Sequence, residues 1–122
     1  MANPDLAPYG KASIEVLESL GKLDATRPRW VQGENIAQTY QFVVTGNAEL
    51  GFVALSQVFE NGNIKEGSGW IVPADLHSPI RQQAVLLSNG AACNACAEFF
   101  NYLKSSDAAR IIQTHGYQSG SE

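Results

Sequence analysis

A chain of 122 residues, 44% apolar and 16% charged, has the size and composition of one ordered domain, not of a disordered tail or several units. Its net charge of −4, with the Lys and Arg residues scattered, excludes the basic stripe that nucleic-acid binding requires. No apolar run is long enough to cross a bilayer, and no basic stretch followed by an apolar one marks a secretory leader in this chain, so compartment is not legible from targeting.

In chain order, residues 1–5 read as the exit from a strand, and Pro4 and Pro8 punctuate a loop. Pro8 suits a first helical position, where its missing N–H has no partner to lose. Ile14, Val16, Leu17 and Leu20 recur at helical spacing, and Gly21 is a natural stop. Trp30, Val31 and Gln32 form a short strand. A second helix runs from Asn35 to Val44, with Ile36, Tyr40, Val43 and Val44 on one face and Gly46 at its end. The unbroken apolar run Leu50–Leu55 reads as a strand buried on both faces. Asn61-Gly62-Asn63 is a turn. Gly69–Val72 and Ile80–Leu87 read as further strands, with a turn at Asn89-Gly90. Ala91–Leu103 reads as a helix, with Ala95, Phe99 and Leu103 one turn apart. Ser105 or Ser106 caps a last helix through Thr114, where Asp107 suits the dipole, and 118–122 is a tail expected to fray.

Alternation of strand and helix in the first half points to an α/β fold, a mainly parallel sheet flanked by helices. In such sheets ligands bind at the carboxyl ends of the strands, where helices begin. Two helix starts fall there, after Asn3–Gly10 and after Gln32–Ile36. A helix start carries free N–H donors and the positive end of the helix dipole, so it holds an oxyanion without a lysine or arginine. Spacing alone does not separate such a site from two ordinary helix starts.

Specific segments add to this. Ala2-Asn3-Pro4-Asp5-Leu6-Ala7-Pro8-Tyr9-Gly10, Val31-Gln32-Gly33-Glu34-Asn35-Ile36-Ala37-Gln38 and Thr45-Gly46-Asn47-Ala48-Glu49-Leu50-Gly51-Phe52-Val53-Ala54 resemble periplasmic molybdate-binding proteins, the substrate-binding components of molybdate ABC transporters. So do Pro79–Val85, Phe100–Ser105 and Gly116-Tyr117, and the resemblance covers nearly all of the chain. It implies a single lobe, residues 1–122, of a periplasmic-binding-protein-like fold. Family members have two α/β lobes with the ligand between them, and this chain resembles mostly the second. The hydroxyls and N–H groups of the first lobe have no counterpart here, so the chain reads as a fragment or isolated lobe with weak or no binding alone.

Carried onto this sequence, the family's contacts from this lobe fall on the backbone N–H groups of Tyr9 and Ile36. The tyrosine hydroxyl that some members add after the third strand is absent, because Ala54 stands there. Tyr9 offers a ring or hydroxyl instead. The resemblance implies a molybdate or tungstate oxyanion as ligand, no cofactor, a membrane permease as partner, a periplasmic location and no catalysis. A lobe without its partner surface is expected to self-associate into a homo-oligomer, with the helices from Ala91 onward as the element to exchange.

A different class of function rests on Cys93-Asn94-Ala95-Cys96, a CxxC at a helix start, where the dipole lowers a thiol pKa; it is the signature of a thiol–disulfide redox protein. The rest of a thioredoxin-like layout is missing, and two cysteines are too few for a structural zinc site. His77 and His115 read as solvated or capping residues, and Ser56 lacks the flanking glycines of a nucleophile elbow. Trp30 and Trp70 read as core or strand residues.

Overall fold

The structure is a computed structural model and describes residues 1–90 and 92–118. Its organising feature is a parallel pair of extended segments at 1–3 and 31–33. The Met1 nitrogen donates to the Val31 carbonyl at 2.8 Å, Gly33 N–H to the Met1 carbonyl at 3.1 Å, and Asn3 N–H to the Gly33 carbonyl at 2.7 Å. The resulting bridge joins Ala2 and Gly33, both buried.

A helix follows each segment. Helix α1, Pro8–Ser19, has Pro8 in its first turn and ends before Gly21, whose φ of 63° closes the helix in the left-handed region. Its buried residues include Ala12, Ser13, Val16 and Leu17; Leu20 is exposed. A short helix α2, Leu23–Thr26, and a 3₁₀ turn at Arg27–Arg29 return the chain to Trp30. Helix α3, Ile36–Val44, is capped by the Asn35 side chain. Its buried residue is Thr39, whose hydroxyl donates to the Asn35 carbonyl at 3.0 Å, while Val44 is exposed.

Two glycines let the helices sit this close. A Cβ on Gly10 would lie 2.4 Å from the Ala2 carbonyl oxygen and 2.6 Å from the Asn3 carbonyl carbon. A Cβ on Gly33 would lie 2.9 Å from both the N and the Oγ1 of Thr39. Each helix start therefore rests on the strand end with no room for a side chain.

Helix α4, Leu55–Val58, leads into a hairpin of β1, Phe59–Glu60, and β2, Asn63–Ile64. They pair antiparallel around Asn61-Gly62, both at positive φ, the requirement of the two-residue hairpin turn expected there. Helix α5, Asn94–Tyr102, and helix α6, Ser106–Thr114, complete the described elements. Ser105 caps α6 by accepting from Ala108 N–H at 3.2 Å.

The expected sheet is much reduced. Among the described residues the paired backbone consists of the single parallel bridge and the two-stranded antiparallel hairpin. Residues 51–54 lie outside any ladder, Leu55 opens α4, and Leu50 is 80% exposed, so this run is not a strand buried on both faces. Residues 69–72 and 80–87 also lie outside any ladder, and Trp70, Ile71, Val85 and Leu87 are exposed. The reason is physical: an apolar run becomes a strand only when a neighbour takes its N–H and C=O groups, and no neighbour among the described residues does. Helix α5 begins at Asn94, so Ala92 and Cys93 precede it; Ala91 lies outside the described residues, as do 119–122 of the expected frayed tail.

Candidate anion-binding site

Both helix starts follow the carboxyl ends of the bridged segments, and their first-turn donors are open. In α1 the N-cap is Ala7, which offers no side-chain acceptor, and the first turn carries no acidic residue. Tyr9 is the second helical residue, and among the described residues no acceptor takes its N–H. Its carbonyl is fixed by the Ser13 hydroxyl, 2.7 Å away and buried.

In α3 the capping is reciprocal. Asn35 Oδ1 accepts from Gln38 N–H at 2.9 Å, and Gln38 Oε1 accepts from Glu34 N–H at 2.7 Å. These bonds satisfy the amides on either side and leave those of Ile36 and Ala37 without an acceptor among the described residues. The first turn of α3 is also free of acidic residues. With no carboxylate in place, the positive end of each helix is unneutralised.

A chain of polar side chains runs beside these starts. The Tyr9 phenol interacts with the side chains of Tyr117 and Gln82. The Tyr117 hydroxyl donates to Ser56 Oγ at 3.1 Å. Burial pushes the Tyr9 phenol above its usual range; the Tyr117 phenol adds to this, against an opposing hydrogen bond from Gln82. From the residue after Ser56, Gln57 Nε2 donates to the Ile36 carbonyl at 3.2 Å, while Gln57 Oε1 accepts from Ala54 N–H at 2.9 Å.

Two concavities lie elsewhere. One of about 420 Å³ is apolar, between Ala84–Leu86 and the α5 residues Cys96, Phe99 and Phe100. The other, about 430 Å³, is polar and lined by Asn3, Asp5, Arg27, Trp30 and Gln32 among others. Neither has Tyr9 or Ile36 in its lining.

The remaining candidates resolve simply. Cys93 and Cys96 are joined as a disulfide across the first turn of α5, and the Cys93 sulfur also accepts from Cys96 N–H. His115 Nδ1 lies 3.0 Å from the Ile111 carbonyl at the end of α6, and His77 lies in the loop after Ala74–Leu76. Trp30 is half-buried, its Nε1 donating to Thr26 Oγ1 at 3.1 Å, but Trp70 is exposed and is not a core residue. Among the described residues no group of three or more His, Cys, Asp or Glu is placed to hold a metal, and no helix is long and apolar enough to cross a membrane. Sequence reasoning missed Gln57, Ser56 and Gln82 as neighbours of the helix starts. Tyr117 carried a signal, since Gly116-Tyr117 was among the segments of the resemblance.

Comparison with known proteins gives the chain a family. The molybdate-binding protein ModA of Azotobacter vinelandii is 52% identical over 117 residues, which are 96% of this chain and 46% of that protein. The molybdate-binding protein ModA of Rhodobacter capsulatus is 46% identical, over 96% of this chain and 45% of that protein. The solved structure of a periplasmic molybdate-binding protein of Azotobacter vinelandii superposes with a TM-score of 0.88 at 36% identity, over 99% of this chain and 53% of that one. The chain spans about half the length of the relatives it matches. The family model for bacterial extracellular solute-binding proteins matches residues 1–118. The fold is therefore part of a periplasmic-binding-protein-like fold, and the chain belongs to the bacterial extracellular solute-binding proteins, a family of transport components and not of enzymes.

Proposed function

We propose that this chain is a solute-binding lobe that offers the backbone N–H groups of Tyr9 and Ile36 to a tetrahedral oxyanion, molybdate or tungstate. The observation that carries this reading is the pair of acid-free first turns with open N–H groups that follow a parallel bridge, in a chain 52% identical to a molybdate-binding protein. Backbone dipoles suit this cargo. They discriminate by distance and direction, and their effect does not depend on the chain's overall negative charge.

The anion is a transported ligand, not a cofactor. It reaches this lobe in the periplasm, and the lobe delivers it to the membrane permease of an ABC transporter. A tetrahedral dianion presents four oxygens, and two helix starts cannot surround it. Binding by this chain alone is accordingly weak, and the rest of the shell comes from a second surface. The same incompleteness leaves apolar side chains such as Leu50, Val85, Leu87 and Phe99 in water and favours self-association.

The test is a titration of the ¹⁵N-labelled chain with sodium molybdate, with chloride as control, followed by amide NMR. The Tyr9, Ile36 and Ala37 cross-peaks should move first and farthest. Shifts spread evenly over the chain, or none at millimolar molybdate, would refute the assignment.

A further inference from the structure

Helix α4 is the only element with side-chain contacts toward both helix starts among the hydrogen bonds described above. Ser56 and Gln57 are successive residues, so they project about 100° apart around the helix axis. Ser56 accepts from Tyr117, whose phenol interacts with that of Tyr9 at the start of α1. Gln57 donates to the carbonyl of Ile36, the first residue of α3.

Both contacts are held from behind. The Gln57 amide is used at both ends, since its oxygen accepts from Ala54 N–H, and reversing it would lose both bonds. Ala54 itself is buried. Tyr117 is held by Gly116, whose φ of 82° turns the chain onto α4. A Cβ there would lie 2.8 Å from Leu55 Cγ and 2.9 Å from Leu55 Cδ2. The tail, α4 and the two helix starts thus form one connected unit.

We propose that α4 is a brace that sets the separation of the two helix starts, with Gln57 and Tyr117 as positioning residues that make the site discriminate between tetrahedral dianions by size. The inference rests on the anion site proposed above. Molybdate and sulfate carry the same charge and shape and differ in the span between oxygens. Donors reject the smaller ion only if their spacing cannot relax around it, and that rigidity must come from groups behind the donors. Neither positioning residue needs to touch the anion.

Gln57→Glu removes the donor of the brace; its added charge weakens both dianions alike, so the affinity ratio is the readout. The new carboxylate still accepts from Ala54 N–H, so the start of α4 keeps its cap, but it cannot donate to the Ile36 carbonyl. Tyr117→Phe keeps the ring and removes the hydroxyl that joins Ser56 to Tyr9. The experiment measures molybdate and sulfate affinity by NMR titration in the wild-type chain and both variants, with urea unfolding and amide hydrogen exchange on the same samples. In each variant the molybdate-to-sulfate affinity ratio should fall several-fold while the unfolding midpoint stays near wild type. A merely structural role would lower both affinities together and leave the ratio unchanged, and that result would overturn the brace. If wild type binds neither anion at Tyr9 and Ile36, the anion assignment fails by itself. Hydrogen exchange then decides the brace: Gln38 and Thr39 amides, the first hydrogen-bonded ones of α3, that exchange no faster in Gln57→Glu than in wild type would overturn it.

Discussion

Gln57 and Ile36 are twenty-one residues apart and are joined by one hydrogen bond, 3.2 Å from the side-chain amide to the backbone carbonyl. The bond ties a four-residue helix to the first turn of α3, whose free amides are the candidate donors. The same relationship on the other flank is made by Ser56, Tyr117 and Tyr9. The site's geometry is therefore distributed over residues that need not touch the ligand.

Gly10→Ala should destabilise the chain by about 1–3 kcal/mol, near the upper end, because the added methyl meets backbone that cannot swing aside. Gly33→Ala should also cost stability, by less, since its Cβ would meet Thr39 at 2.9 Å instead of a carbonyl oxygen at 2.4 Å. Gly21→Ala is the control: nothing lies within 4 Å of its Cβ, and only the positive φ opposes the change, at about 1 kcal/mol. Urea unfolding of the three variants gives the ranking directly.

Asn35 separates stability from binding. Asn35→Ala removes the acceptor for Gln38 N–H and should cost about 1 kcal/mol. Asn35→Asp retains the acceptor and adds a negative charge that the helix dipole favours, so stability should match or exceed wild type. The same charge stands beside the free amides of Ile36 and Ala37 and should repel a dianion. Thermal melting together with molybdate titration checks both halves, and an Asp variant that binds as well as wild type would contradict the site.

Two groups report on pH with opposite signs. The Ser78 backbone N–H, donated to the Glu15 carboxylate, holds that carboxyl below its usual range. A depressed folded pKa contributes stability above the unfolded value that is lost as pH falls through the folded one. Acid unfolding of Glu15→Gln should therefore lack one component that wild type shows below the normal carboxylate range. Burial and then Tyr117 raise the Tyr9 phenol. That contribution is present below the normal phenol value and is lost as pH rises through the raised one. Alkaline absorbance titration should show one tyrosine ionising late, and Tyr117→Phe should bring it back toward the others.

The Cys93–Cys96 disulfide closes a loop of only three residues' separation. Loop-closure entropy grows with length, so its removal should fall at the low end of the range of about 0–5 kcal/mol. Paired Cys93→Ala and Cys96→Ala substitutions should leave molybdate titration unchanged. Catalysed reduction of a test disulfide, lost on replacing Cys93, would instead support thiol–disulfide chemistry.

Self-association should follow from the exposed side chains of Leu50, Val85, Leu87 and Phe99. Sedimentation at high micromolar concentration is expected to show a homodimer or larger species, reduced by replacing Val85 and Leu87 with Lys. A clean monomer of the wild-type chain would refute it.

Local signals were legible in the sequence. Pro8 at the start of α1, the start of the second helix at Asn35, Ser105 as a cap, Gly21 and Gly46 as stops and the turn at Asn61-Gly62-Asn63 all act within a few residues of themselves. A helix makes its hydrogen bonds four residues away, so its ends are written beside it. The Asn3–Gly10 and Gln32–Ile36 segments were therefore readable as helix starts, and their resemblance to molybdate-binding proteins gave them a ligand class. Strands are different, because their partners are distant in sequence. Leu50–Leu55 and Ile80–Leu87 have the composition of buried strands, yet only a neighbouring ladder would make them so, and the described residues supply none. Contacts such as Tyr117 to Ser56, sixty-one residues apart, have no local signature either. Where the helices start was a property of the sequence; what lies against those starts was decided by the tertiary structure, because hydrogen bonds between side chains of different elements depend on where the whole chain places them.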